Sequence, residues 1–292
     1  MPTGFVILAN AAAGSADEEA VGAAAARLRS AGPVDVVATG SDGEIDAVLG
    51  DVDGRVLVVA GGDGSVHAAV ARLRALDLAG TVGVGLVPLG TGNDLARGTG
   101  IPPDPAAAAD LVATGRARPA DLVVDDAGGV VVNAVHAGLG AEAADRSESL
   151  KGALGPLAYP LGALIAGVRE PGWELEVAAD GAVVHRGPAL MVGVGNGPSI
   201  GGGTELFPGA AIDDGRADLV VVTAVGAAAR AAFAAALRSG DHLGRDDVVA
   251  LRATDVAVSG DAVRHNADGE VSDAVGRRRY RVEPAAWRLI RP

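Results

Sequence analysis

The run Val56-Leu57-Val58-Val59-Ala60 is an unbroken apolar stretch of strand length. Val66, Ala69, Val70 and Leu73 then recur at the spacing of one helix face. The same alternation covers the first 120 or so residues. Residues 5–9 read as a first strand ending at Asn10, and Val21, Ala25 and Leu28 as a helix that closes near Gly32-Pro33. A second strand fits 34–38. Ser41-x-x-Glu44 has the form of a capping box and opens a helix to about Leu49. The third strand is 55–60, the fourth 82–87, and a proline-started helix covers 104–114. Strands alternating with helices across short links predict a parallel sheet with its loops gathered along one edge.

After Asp121 the pattern changes. Short strand-like runs fall at 122–124, 130–135, 175–178, 189–194, 219–222, 248–250 and 256–258, many separated by glycine-rich turns. Helical spacing persists only near 154–168 and 226–238. This half reads as mostly antiparallel β. The expected fold class is therefore α/β plus β: a parallel-sheet α/β domain over 1–122, then a mostly antiparallel β domain from 123 on, with the boundary between 118 and 130.

Charge and composition narrow the function. A net charge of −13 disfavours nucleic acid, whose phosphates require basic contacts, and gives no general attraction to anionic membranes. The run Arg277-Arg278-Arg279-Tyr280-Arg281 alternates like a strand and reads as a solvated sheet edge in preference to a lipid-binding patch. Cysteine is absent, which removes disulfides, thiol nucleophiles and thiolate metal sites. No basic segment precedes the first apolar run, so no signal peptide is expected. The apolar stretch 153–168 is interrupted by Pro156 and Pro160 and falls short of the roughly 20 residues that span a bilayer. It fits a core helix of the second domain, or a membrane-contact surface with Tyr159 as interfacial anchor. A cytoplasmic protein that meets membranes transiently is expected.

Two glycine-rich stretches follow adjacent strands. GGDGS (61–65) lies between the third strand and its helix, and PLGTGND (88–94) follows the fourth strand. Open α/β sheets bind ligands at such places. A tight turn and a phosphate cradle both fit GGDGS alone. Together the loops offer many unobstructed N–H donors, and Asp63 and Asp94 could approach one magnesium, which takes few carboxylates and keeps water and phosphate oxygens. No G-x-x-x-x-G-K-[ST] or G-x-G-x-x-G stands at a strand-to-helix turn, and the only lysine is Lys151. The five histidines form no H-E-x-x-H pair and read as isolated and structural. Gly197-Pro198-Ser199-Ile200-Gly201 matches a nucleophile elbow, with Asp213 and His265 in hydrolase order, but the glycines after it are a poor helix start.

GGDGS followed by PLGTGNDLA resembles the catalytic domain of the diacylglycerol kinase family of lipid kinases. The likeness continues through NGPSIGGGTELFPGAAIDDGRADLVVV (196–222), HNADGE (265–270) and the closing strand VEPAAWRLIRP, so it covers nearly the whole chain. It implies an N-terminal nucleotide domain, a C-terminal β-sandwich with the active site in the cleft between them, and a last segment, 284–292, that returns to the first domain. ATP and Mg2+ are the implied co-substrate and metal, and a lipid alcohol at a membrane surface is the implied acceptor. Diacylglycerol is the leading candidate. A sphingoid base, NAD, or a non-catalytic binding role are the alternatives, and a homodimer is left open.

By that resemblance Asp63, Asp94 and Asp121 form an aspartate–water–magnesium network. Asn10, Gly61, Gly62, Gly64, Ser65, Gly90, Thr91, Gly92 and Asn93 contact the nucleotide. Asp213, Asp214 and the carbonyl of Arg216 hold a structural magnesium, and Glu270 is the base on the lipid hydroxyl. A carboxylate that reaches the acceptor proton suits that last role. Asp42-Gly43-Glu44 repeats the same tripeptide, where Glu44 reads as a helix cap. Asp63→Asn should abolish activity and leave the fold intact. Asn10-Ala11 and Gly14-Ser15 depart from the family's first loop, Ser65 replaces its threonine, and His67 stands where asparagine is common.

Overall fold

The computed structural model describes residues 3–11, 14–138 and 172–292. The chain divides into two compact units, Met1–Leu122 with Pro284–Pro292, and Val123–Glu283. The segment 153–168, with Tyr159, lies outside the described residues.

In the first unit β1 (Phe5–Asn10), α1 (Ser15–Arg29), β2 (Val34–Thr39), α2 (Asp42–Gly50), β3 (Val56–Gly61), α3 (Asp63–Ala75) and β4 (Gly83–Pro88) alternate as the hydrophobic pattern predicts. The strands pair in parallel in the order β2-β1-β3-β4. Every residue of β3 is buried, as expected for a central strand of a parallel sheet covered on both faces. One part of the core joins Phe5, Ile7 and Val58 to Leu28 of α1 and Val112 of a later helix. Because β1 has β2 on one side and β3 on the other, the winding reverses between β1 and β3. The loops that leave their C-terminal ends, at Asn10 and Gly61, thus flank a topological switch point.

Two local features depart from the sequence pattern. The stretch after β4 is not all loop: Asp94–Thr99 forms a short helix, α4, before α5 (Pro105–Thr114). At α2, the Ser41 side chain makes no cap hydrogen bond. Neither half of the box is formed: Glu44 Oε2 reaches one residue further back and accepts from the Gly40 N–H at 2.7 Å.

β5 (Arg116–Asp125) carries the chain into the second unit. There β6 (Val130–Val131), β7 (Ala134–Gly138), β8 (Trp173–Ala179), β9 (Ala182–Ala189), β10 (Met191–Gly195), β11 (Ala217–Val222), α6 (Ala227–Ser239), β12 (Val248–Ala253), β13 (Asp255–Val263), β14 (His265–Ala267), β15 (Glu270–Val271) and β16 (Val275–Arg291) follow in turn. One antiparallel sheet runs β12-β11-β10-β7-β14-β15; in the other, β13 lies between β16 and β8, and β9 follows β8. Val135, Val192, Val194, Leu219 and Val221 of the first sheet share a core with Leu175, Val177, Val256, Val258 and Tyr280 of the second, which makes a β-sandwich. The other face of the six-stranded sheet packs Met191, Val220 and Val222 against Phe233 of α6 and against Leu206 and Phe207 of the loop between β10 and β11.

Three strand expectations are corrected. The run 130–135 is two strands, because the amides of Val132, Asn133 and Ala134 turn to the Asp268 carboxylate. β9 was hidden by Gly187-Pro188 and its polar side chains. It ends its sheet's strand order, a position where a proline removes no needed ladder bond. Arg277–Arg281 is not a free edge. It pairs with β13 on one side, and the Arg279 carbonyl accepts from the Asp126 N–H. Arg278 pairs with Asp125 at 3.1 Å, and Arg279 and Arg281 share Asp255 at 2.8 and 3.1 Å. The last residues of β16 belong to the first unit, where Arg288 and Leu289 pair in parallel with Gly83 and Val84 of β4.

Candidate functional site

At the C-terminal edge of the parallel sheet, two glycine loops touch each other. A Cβ on Gly62 would lie 3.0 Å from Gly90 Cα, and one on Gly90 would lie 2.5 Å from Gly62 Cα and 2.9 Å from Asn93 Oδ1. These glycines let two backbones meet, a need that one loop read alone does not reveal. A Cβ on Gly61 would fall 2.4 Å from Ser65 Oγ, so that hydroxyl fills the hollow of the turn. Gly64 differs. It is exposed, with no atom within 4 Å of where its Cβ would point, so a ligand can approach its backbone.

Asn93 holds the left-handed conformation (φ 52°), where Asn is one of the few tolerated side chains. Its Oδ1 accepts from the Gly90 N–H at 3.1 Å and its Nδ2 donates to the Gly90 carbonyl at 2.6 Å. Asn93 is thus tied into its own loop. Thr91 is exposed at the loop's tip, Gly92 accepts from Arg97 Nε at 2.9 Å, and Asn10 is exposed at the end of β1.

Asp63 joins the loops. Its Oδ2 accepts from the Asp94 N–H at 3.0 Å and its Oδ1 from the Leu95 N–H at 3.1 Å. Asp63 also stands in the first turn of α3. One carboxylate therefore caps α4 from 31 residues away and faces the positive ends of two helices. Asp94 is buried at 5% exposure and Asp121 at 2%. Asp121 Oδ1 accepts from the Ala285 N–H at 2.8 Å, and its carbonyl accepts from Trp287 Nε1 at 3.1 Å. It clasps the returning C-terminal segment where Ala285 has a positive φ of 53°.

In the second unit Glu270 is exposed at the start of β15, across the hairpin from Ala267. The turn between them, Asp268-Gly269, has φ of 51° and 104°. Asp268 accepts from three successive amides, Val132 at 2.6 Å, Asn133 at 2.9 Å and Ala134 at 3.0 Å, and its own N–H donates to the Ala134 carbonyl. Asn266 Oδ1 accepts from the Gly269 N–H at 2.9 Å. Buried amides continue this cluster. Asn196 Nδ2 donates to Val132 O and Asn133 Nδ2 to Ser199 O, and a Cβ on Gly197 would meet Asn133 Oδ1. Sequence reasoning named Glu270 but passed over Asp268 and Asn133. The adjacent DGE letters were the available signal for Asp268.

Both units match one family. Residues 4–124 match the diacylglycerol kinase catalytic domain, and residues 133–291 match the YegS C-terminal NAD kinase beta sandwich-like domain. A "Probable lipid kinase YegS-like" protein of Xanthomonas campestris pv. campestris (strain 8004) is 33% identical over 291 residues, 94% of this chain and 92% of that one. The chain belongs to this lipid kinase family. Other relatives align over shorter stretches, in one case 55% of the relative's length. A solved protein from Bacillus anthracis str. Sterne is similar in fold at TM-score 0.83 and 22% identity, over 100% of this chain and 98% of that one. A diacylglycerol kinase structure from the same strain reaches TM-score 0.75 at 18% identity, over 100% and 97%.

A lipid kinase of this kind calls for a divalent cation beside the phosphates. Among the described residues no three acidic or histidine side chains gather as a ready cation cage. Asp63, Asp94 and Asp121 are therefore not assembled as direct ligands of one ion. The donor chemistry of Asp63 and Asp94 still fits magnesium, which takes one or two carboxylates and completes its shell with water and phosphate oxygens. In the 213–216 segment, Asp214 Oδ1 accepts from the Arg216 N–H at 3.0 Å, and Arg252 forms an ion pair with Asp214 and lies 3.8 Å from Asp218. Burial pushes the Asp218 carboxyl up to about 6.

The hydrolase motif does not form its elbow. Ser199 is buried, and turns and an Ile200–Thr204 bridge follow it where a helix would be needed. The histidines are not all isolated. His136 and His265 stand on the neighbouring strands β7 and β14, and burial lowers both imidazoles to about 4.

Proposed function

We propose that this lipid kinase transfers the γ-phosphoryl group of ATP to the hydroxyl of diacylglycerol, forming phosphatidic acid and ADP. The observation that carries the reading is Asp63, which binds the α4 amides and locks the two glycine loops together at the switch-point edge of the sheet. Phosphoryl transfer depends on positioning and on charge stabilisation more than on covalent chemistry, and a pre-formed edge of backbone donors supplies the first. The Gly64 backbone and the α3 N-terminus receive phosphate oxygens, with Gly61, Gly62, Ser65, Gly90, Thr91, Gly92 and Asn93 shaping that edge and Asn10 bordering it. Asp63 and Asp94 would hold magnesium, which neutralises phosphate charge when bound. Asp121 supports them by fixing the C-terminal segment, and Asp213, Asp214 and the Arg216 carbonyl would hold a separate, structural cation.

Glu270 acts on the acceptor. It orients the lipid hydroxyl and takes its proton as the oxygen bonds to phosphorus, while the β–γ bridging oxygen leaves with ADP. The lipid is met at a membrane surface. Among the described residues no helix is long and apolar enough to cross a membrane.

The test is turnover of ATP with mixed micelles of diacylglycerol, against a panel with a sphingoid base and a monoacylglycerol. Glu270→Gln should suppress turnover by at least about 100-fold, the usual scale of general base catalysis, with ATP affinity by calorimetry nearly unchanged. Glu44→Gln weakens only the Gly40 contact and should keep activity. The assignment fails if Glu270→Gln turns over normally. Preference for the sphingoid base would move the substrate and leave the mechanism.

A further inference from the structure

Glu270 sits on a hairpin with little ladder to hold it. β14 has three residues paired to β7, and β15 has two paired to β14. The chain also changes sheets immediately before it: Val263 ends β13 in one sheet, and His265 begins β14 in the other. Such a crossover leaves the hairpin's depth and tilt dependent on side-chain anchors.

One anchor spans the sandwich. Tyr280 of β16, in the sheet of β13, reaches His265 of β14 across the core, with its hydroxyl 2.7 Å from His265 Nδ1. Both residues are buried, at 3% and 4% exposure, and the walls around them are Val135, Ala137, Val192, Val194 and Val258 with the His136 imidazole. In such surroundings a lone hydroxyl or imidazole nitrogen would be costly, so the two polar groups require each other. Burial raises the Tyr280 phenol and lowers His265, so both groups are neutral and share one hydrogen bond whose donor is set by the imidazole tautomer. The charged groups nearby are Arg278, Asp125 and Asp126, with His136 on β7. Ser272 N–H closes the same residue from the far end of the hairpin by donating to the His265 carbonyl at 2.8 Å.

We propose that the Tyr280–His265 hydrogen bond positions the Glu270 hairpin for turnover, making both positioning residues that act through Glu270. The inference rests on the role given to Glu270 above. Asp268 fixes the turn to β7, and Tyr280 fixes the strand that carries the turn to the opposite sheet.

Tyr280→Phe removes one oxygen and keeps the ring. In the full-length chain it should speed amide hydrogen exchange in residues 265–271 by about tenfold, the scale of one neutral hydrogen bond, and leave β8 and β10 unchanged. The kcat on diacylglycerol micelles should fall by a similar factor, with the KM for ATP unchanged. His265→Asn keeps an acceptor near the Nδ1 position and should restore much of the rate that His265→Leu loses. Unchanged exchange in 265–271 overturns the proposal whatever the activity does. So does faster exchange with unchanged kcat in a protein that Glu270→Gln silences. A failed Glu270 assignment shows itself separately, as full turnover by Glu270→Gln, and it overturns the catalytic half of the proposal while the exchange data judge the anchor.

Discussion

Replacing Asp63 with Asn exchanges one oxygen for an NH2 and puts both its structural and its chemical duty to the test. The carboxylate accepts from two consecutive amides, Asp94 at 3.0 Å and Leu95 at 3.1 Å. An amide side chain keeps one acceptor oxygen and turns an NH2 toward the other N–H. One charge-assisted hydrogen bond is lost, one buried donor is left unpaired, and the favourable field of two helix ends disappears. Such bonds contribute about 1.5–3 kcal/mol, so a loss of about 2 kcal/mol is expected. At roughly 2–4 °C per kcal/mol, thermal unfolding should shift down by about 4–8 °C. The fold stays intact, as expected from sequence, with a smaller margin of stability. Turnover should also fall by orders of magnitude, because the altered group stands where phosphate charge is neutralised. Scanning calorimetry gives the first number, and hydrogen exchange at the Asp94 and Leu95 amides locates it. A variant with wild-type melting and fully protected amides at 94 and 95 would refute the cap, and one with normal magnesium-dependent turnover would refute the chemical role.

Three further outcomes test separate parts of the reasoning. Gly90→Ala pushes a methyl onto the Gly62 backbone, which no rotamer relieves, and should weaken ATP binding at least about tenfold with a stability loss of about 1–3 kcal/mol. Gly64→Ala, in open space, should leave melting unchanged and weaken only ATP in calorimetry; intact ATP affinity would remove that backbone from the phosphate site. His136 and His265, at about 4 in the fold, lie below the unfolded value of 6.5. The unfolded chain therefore binds more protons between those pH values, and stability present above pH 6.5 is lost as pH falls toward 4. Each imidazole should contribute a loss of about 2 kcal/mol at pH 5. Asp218, raised to about 6, opposes part of it below that pH. Urea midpoints at pH 7 and 5 measure the balance, and a higher midpoint at pH 5 in both the wild type and Asp218→Asn would contradict it.

The elements legible in the chain are those whose cause is local. β3 and α3 follow from apolar periodicity, and the glycine loops from residues that break it. The antiparallel half follows from short strands and turns. Glu44 and Glu270 share the same tripeptide; helix-start context marked the first as a cap, and the structure gives it the Gly40 N–H. What sequence could not show are pairings across long separations. α4 is capped by Asp63 from another loop, Gly62 and Gly90 are glycines because of each other, and the break in 130–135 exists because Asp268 takes its amides. His136 and His265 become neighbours only when β7 meets β14, and Tyr280 meets His265 only when two sheets close on one core. Periodicity reports which face a residue turns to the interior. Which polar groups then satisfy one another there is decided by packing, because a buried donor or acceptor must find its partner wherever the fold brings one.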